Sequence, residues 1–419
     1  MSTPRRLAVL ATAMATVILA GCGGNPGAGP TSGNGASPGG SAAPADLTIL
    51  IGTSGDAETQ AVQKAVDAWA GSTGNKAKVV VASDLNQQLS QGFAGGDPPD
   101  LFYMSWDQFS TYAKNRYLEP YAADLKNAGD YYQGLIDTFT HDGTFYCAPK
   151  DFSTLGLIVN TDLWKKAGLT DADVPKDWAG LESAAKKLTK GSVTGLSFGL
   201  EYARVGVFMN QAGGQLVGPD GATADTPENL AGLQEVEKLH SEGVLKFPAE
   251  LDAGWAGEAL GAGKAAMVIE GPWIKGIASD FPDTKWAAYE LPAGPGGKST
   301  FTFTNCWGIP AGSDTRDAAV SLVEYLTTDE QQLAFADAFG VIPSTKSAAA
   351  SYAKKYPDYA SFVASADYAV APVNFAGSAA VVSDFNAALE PLVSGKVDFK
   401  KVLSSMQGEL QSAWEDAKG

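Results

Sequence analysis

The side chains most often recruited to make and break bonds are scarce in this chain. Two histidines, His141 and His240, and three cysteines are the whole supply in 419 residues. That is too few for a zinc cage, a haem or an iron–sulfur cluster, and the histidines lack the H-E-x-x-H spacing of a metalloprotease helix. No G-x-S-x-G elbow exposes a nucleophilic serine. Gly296-Gly297-Lys298-Ser299 has the ending of a phosphate-binding loop, but Pro292 stands where that loop needs glycine, and a turn fits better. Asp171-Ala172-Asp173 lacks the later glycine and glutamate of a calcium loop. No cofactor and no metal are expected. Nine Trp and 14 Tyr stand among 47 acidic residues. Aromatic planes pack on the C–H faces of a sugar ring, and carboxylates accept its hydroxyls. Carboxylates beside aromatics also describe a glycoside hydrolase, which needs one pair about 5–5.5 or 6.5–9.5 Å apart. The formal charge of −17 argues against nucleic acid or an anionic membrane surface as partner.

The N-terminus sets the compartment. Arg5 and Arg6 precede an apolar stretch from Leu7 to Ala20, long enough for a secretory signal and short for a transmembrane span of about 20 residues. Leu19-Ala20-Gly21-Cys22 reads as a bacterial lipobox. Residues 1–21 are then a signal peptide, and Cys22 takes a lipid that anchors the protein outside the cytoplasmic membrane. Residues 22–45 hold eight Gly, four Pro and three Ser with no charge, the composition of a flexible tether. Lipidation of Cys22 leaves Cys147 and Cys306. In a disulfide-permissive compartment these form either a bridge or two buried thiols.

Strands and helices alternate after the tether. Short apolar runs at Leu47–Ile51, Val79–Val81 and Asp100–Tyr103 predict strands. Between the first two, Val62, Val66 and Trp69 recur at helical spacing within 57–70, and 87–93 reads as a short helix. Further helices are expected at 178–188, 228–241, 317–327, 329–338 and 401–415. This order predicts an α/β fold around mostly parallel sheet. Nothing beyond the tether separates independent domains, which suggests lobes that exchange segments.

The order of short motifs carries a resemblance. Gly96-Asp97-Pro98-Pro99-Asp100-Leu101-Phe102-Tyr103 is followed by Tyr112-Ala113 and Tyr117-Leu118-Glu119-Pro120. Then come Gly143-Thr144-Phe145-Tyr146-Cys147-Ala148-Pro149, the stretch Leu157 to Trp164, and Pro175-Lys176-Asp177-Trp178. The segment Gly263 to Trp273, GKAAMVIEGPW, is the most specific, and Leu291 to Gly297 and Gly340-Val341-Ile342-Pro343 complete the set. This series resembles the extracellular solute-binding proteins of ABC sugar importers, the maltose- and oligosaccharide-binding type. Val159, Asp177 and Arg116 depart from that pattern, where an aromatic, a threonine and a glycine are usual.

The resemblance implies a two-lobed periplasmic-binding-protein-like fold, with a ligand cleft between lobes joined by hinge crossings. Lobe 1 would comprise 46–152 plus 300–345, and lobe 2 would comprise 153–299 plus 346–419. It implies a carbohydrate ligand, an ABC permease as partner, a monomer, and binding without turnover. A polyamine is the alternative solute for so acidic a chain. Carried onto this sequence, the cleft would draw on Trp106, Asp107, Asp151, Phe152, Glu201, Tyr202, Trp255, Glu258, Glu270, Trp273, Asn305 and Trp307, with Ser54 in the loop before the first helix. Trp273 with Trp255 or Trp307 would stack on sugar faces, while Asp107, Asp151 and Glu201 would accept hydroxyls. Local roles compete: Asp107 as cap of a helix at 108–116, Asp56 as cap of the first helix, and Glu270 in an ion pair with a lysine such as Lys275. On the two-lobe arrangement Cys147 and Cys306 fall on neighbouring strands of one lobe.

Overall fold

The computed structural model describes residues 44–53, 55–395 and 397–418. The expected signal peptide, Cys22, nearly all of the expected tether and Ser54 lie outside the described residues. The described part from Pro44 onward is one compact unit built on two main sheets. The first begins with β1 (Asp46–Ile51), α1 (Asp56–Thr73), β2 (Lys76–Val81), α2 (Leu85–Gly95), β3 (Leu101–Ser105) and α3 (Trp106–Lys114). β1 pairs in parallel with both β2 and β3. The predicted helical face is buried against this sheet through Val62, Val66 and Trp69. Gly55 occupies the cap position of α1 and Ser105 that of α3. Asp56 and Asp107 are therefore first-turn residues, where a carboxylate favours the helix dipole, and neither is the cap the sequence suggested.

The chain then passes α4 (Gln133–Thr138) and a hairpin of β4 (Thr140–His141) and β5 (Thr144–Phe145) before it crosses to the second sheet. The crossing is nearly continuous strand: β6 (Ala148–Thr154) belongs to the first sheet and β7 (Gly156–Asn160) to the second, with Leu155 between them. The second region holds α5 (Thr161–Lys166), α6 (Trp178–Leu188), β8 (Thr194–Ser197), α7 (Tyr202–Gln211), a hairpin of β9 (Val217–Gly218) and β10 (Gly221–Ala222), α8 (Pro227–Ser241), α9 (Ala256–Gly261), β11 (Ala265–Glu270) and β12 (Trp286–Tyr289). Its sheet runs β12-β7-β11-β8. The return crossing leads into β13 (Thr300–Gly308), which lies antiparallel to both β3 and β6. α10 (Arg316–Leu326), α11 (Asp329–Phe339), α12 (Lys346–Lys355), α13 (Ala360–Ala364), β14 (Ala369–Val370), α14 (Ser378–Leu389) and α15 (Phe399–Lys418) complete the chain.

Each sheet carries its own core. Residues from Leu47 to Ala148 and from Cys306 to Phe335 pack in one cluster. Residues from Leu155 to Phe301, joined by Val381 to Leu410, pack in another. A third cluster joins Tyr132 and Phe152 to Ile158, Ile274, Ile342, Tyr352 and Phe362 at the crossings. The fold is thus α/β and two-lobed, with interwoven segments. The expectation of mostly parallel sheet needs correcting: β7 is antiparallel to both β11 and β12, and β13 to β3 and β6. β7 and β13 enter their sheets at the crossings, without the helical connection from a neighbouring strand that a parallel pair needs.

Candidate ligand-binding site

The crossings bring the candidate residues together, and β13 is the organising strand. Ser105 and Asp151 both pair with Asn305 in register, from β3 and β6 respectively. Half-buried Phe303 lies two residues earlier, its ring centroid 6.2 Å from that of Trp106 and 6.4 Å from that of Trp273. An aromatic row therefore runs from the start of α3, across the crossing strand, to the segment after β11. Trp273 is 38% exposed, the only Trp among the exposed large hydrophobics of the described residues, and it offers a large ring to a ligand.

Trp273 is held by charge. The Glu270 carboxylate, 2% exposed at the end of β11, accepts the Trp273 indole N–H at 2.8 Å. The same oxygen accepts from an Arg204 guanidinium nitrogen at 2.6 Å, and the other terminal nitrogen of Arg204 donates to Glu201 at 2.8 Å. Arg204 also sits 5.6 Å from the Trp273 ring centroid, within cation–π range. The ion-pair partner of Glu270 is thus Arg204 from the first turn of α7, and the lysine expected from sequence plays no such part. Burial pushes the Glu201 carboxyl up from its usual range; Arg204 opposes that shift and Glu270 reinforces it. Two glycines accommodate the cluster: a Cβ on Gly199 would overlap the Glu201 carboxylate, and one on Gly271 would overlap the Trp273 ring.

A second charged group lies on β6. The register with β13 shifts between Asn305 and Cys306, so Lys150 is an extra residue on its strand. Successive strand side chains ordinarily face opposite sides, and a bulge breaks that alternation. Lys150 here pairs with its own neighbour Asp151 and with Glu58 of α1, at 3.3 Å. Its ammonium lies 4.5 Å from the Tyr103 ring centroid, and Tyr103 donates to Glu58 at 3.1 Å. Burial raises the Asp151 carboxyl and the nearby ammonium draws it back, leaving a net upward shift. Asp151 also lends its backbone carbonyl to the Thr304 hydroxyl at 2.6 Å.

Other expected residues stand elsewhere. Trp307 is 1% exposed and packs edge-on against Tyr103 at 4.9 Å; it fills the core of the first lobe and has no face to offer a sugar. Phe152 is 1% exposed, bridged by backbone to Ile342 and packed on Tyr132. The Tyr202 ring is buried on Phe301 and Phe385. All three belong to the buried cores. Glu258 accepts from the Gly254 N–H at 2.7 Å, and Trp255 leads into α9. Both are half-buried and serve local structure. Asp107 is half-buried beside Trp106, and Gln108 is the side chain that hydrogen-bonds it. Two members of the cluster escaped the sequence reading: Arg204 and Phe303. The T-F-T-F alternation from Thr300 would have found Phe303; nothing local marks Arg204.

Cys147 and Cys306 form a disulfide with a Cα–Cα distance of 5.6 Å, which settles the question the sequence left open. His240 stacks on Phe247 and contacts Glu250, far from metal-binding geometry. No group of His, Cys, Asp and Glu suited to a metal occurs among the described residues, and none of their helices is long and apolar enough to cross a membrane.

Comparison with known proteins adds a family. The family model described as bacterial extracellular solute-binding protein matches residues 54–333. The diacetylchitobiose binding protein DasA of Streptomyces coelicolor is 26% identical over 275 residues, covering 62% of this chain and 64% of that relative. Among solved structures, an ABC substrate-binding protein of Listeria monocytogenes in complex with cycloalternan superposes with a TM-score of 0.77 at 23% identity, over 89% of this chain and 99% of that one. A cyclic alpha-maltosyl-1,6-maltose binding protein from Arthrobacter globiformis gives a TM-score of 0.78 at 20% identity, over 89% of this chain and all of that one.

Proposed function

The chain belongs to the bacterial extracellular solute-binding protein family, and from that premise we propose that it captures an oligosaccharide or glycoside for an ABC importer. The observation that carries the reading is the half-exposed Trp273 ring, fixed by Glu270 and Arg204 and continued by Phe303 and Trp106. Aromatic faces suit the C–H faces of a saccharide, and Asp107, Asp151, Glu201 and Asn305 supply acceptors around them. Similarity to a diacetylchitobiose binding protein, to a cyclic alpha-maltosyl-1,6-maltose binding protein and to a structure in complex with cycloalternan supports a saccharide ligand. Lobe 1 comprises 46–152 plus 300–345 and lobe 2 comprises 153–299 plus 346–419. Ligand closes the cleft to the extent that it binds the closed form more tightly than the open one, and the closed monomer docks on its permease. A lipid on Cys22, exposed when residues 1–21 are removed, holds the protein at the outer face of the membrane.

The action is binding, without turnover. Glu201 and Glu270 share one guanidinium, so neither is placed as a free proton donor opposite a free nucleophile. The same pairing disfavours a polyamine, which needs uncompensated carboxylates. Titration calorimetry with α- and β-linked oligosaccharides tests the proposal, alongside an assay for released reducing ends. One saturable site and no new reducing ends are expected. Silence across the panel, or hydrolysis, would remove it.

A further inference from the structure

Arg204 lies outside every motif that marks the family, yet three groups converge on it: Glu201, Glu270 and the Trp273 ring. It is the third residue of α7, one turn from Glu201, and its two terminal nitrogens reach different carboxylates on different elements. A guanidinium is a planar fork that bridges two acceptors; an ammonium is a point charge that cannot hold both in fixed geometry. Glu270, buried at the end of β11, is costly to leave without a counter-charge. Through that carboxylate Arg204 sets the Trp273 indole, and its own plane lies near the ring. Its Nε–H is buried without a partner among the described residues. The fold thus tolerates an orphaned donor while keeping the two bridging contacts.

We propose that Arg204 is the positioning and specificity-determining residue of the cleft: it orients Trp273 for stacking and offsets Glu201 and Glu270, so the site takes neutral saccharides and refuses cationic amines. This rests on the ligand reading above. Without Arg204 the two carboxylates lose their shared counter-charge, the Glu270 anchor of the indole is no longer held, and the same surface becomes a cation site.

The test uses the full chain and three ligands, diacetylchitobiose, maltotetraose and spermidine, with R204M, R204K and R204M/E270Q. Trp273 accessibility is read without ligand, by acrylamide quenching of each variant minus its W273F counterpart. In R204M the quenching of Trp273 rises, affinity for the binding saccharide falls at least tenfold, and spermidine binding becomes measurable. In R204M/E270Q the spermidine binding is lost again, since one carboxylate has been neutralised. R204K retains rejection of spermidine while Trp273 loosens, and it serves as the folded control if R204M is unstable. The proposal is overturned if quenching is unchanged and the saccharide-to-spermidine ratio moves less than threefold while only melting temperature falls. If the wild-type protein binds neither saccharide, the ligand reading fails by itself, and the quenching and spermidine results still decide the role of Arg204.

Discussion

Replacing Cys147 and Cys306 by alanine should lower stability substantially and leave ligand affinity nearly intact. The bridge closes a loop with a sequence separation of 159. The chain-entropy relation for a loop of that length gives about 5 kcal/mol of stabilisation by restriction of the unfolded chain. A unit spanning Pro44–Gly419 has an unfolding entropy of about 0.8 kcal/mol/K at the usual per-residue value, so the expected drop in melting temperature is about 6 °C. Affinity should stay within about threefold, because β6 and β13 remain joined from Thr302↔Thr154 to Trp307↔Ala148 by their own ladder and Asp151 keeps its place opposite Asn305. Scanning calorimetry of oxidised, reduced and double-alanine protein gives the first quantity; titration with a bound saccharide gives the second. A shift below about 2 °C would show that the long-loop argument fails here. A tenfold loss of affinity at unchanged melting temperature would show that the bridge acts on the site and not on the unfolded chain.

Other expectations follow from the same geometry. Trp273→Ala should weaken saccharide binding about tenfold or more by loss of the stacking face, with a smaller fall in melting temperature than a fully buried Trp would cause because the residue is 38% exposed; calorimetry and thermal scans on one sample separate the two. Trp307→Ala should do the reverse, destabilising by about 3–5 kcal/mol through a core cavity beside Tyr103, as chemical denaturation would report. Burial raises both Asp151 and Glu201. Saccharide affinity that depends on their charged forms is therefore full at neutral pH and lost on acidification, beginning above the ordinary carboxylate value of about 4; titrations from pH 7 to pH 4 should show this, and D151N/E201Q should flatten it. The linked effect on folding has the opposite sense, since groups with raised folded values contribute stability at low pH that is lost as pH rises through those values. Cys22→Ala should release the protein from the membrane fraction, which fractionation after labelling with a fatty-acid analogue would reveal.

Much of this was legible because local rules and tertiary structure agree. Val62, Val66 and Trp69 fall on one helical face and are buried together; helix bounds near 178, 227, 316 and 329 follow the apolar spacing closely. The segment from Gly263 to Trp273 ends on the ring proposed for stacking, which needs Gly271 beneath it. The inward or outward sense of individual aromatics was not legible. Trp307 and Phe303 lie on the same strand, yet Trp307 packs against Tyr103 in the core while half-buried Phe303 lies between Trp106 and Trp273. What covers each position comes from elements distant in the chain and leaves no trace in spacing. Arg204 was invisible for a similar reason: its partners Glu270 and Trp273 are 66 or more residues distant, and a lysine close in sequence looked the simpler neighbour.

The central claim is that a saccharide binds over Trp273 in the cleft between the lobes. Isothermal titration of the wild-type protein and its Trp273→Ala variant with a panel of α- and β-linked oligosaccharides measures it most directly. The account predicts one saturable site for at least one neutral oligosaccharide, weakened about tenfold or more in the variant. Binding of no saccharide by the wild type, or equal binding by both proteins, would contradict it.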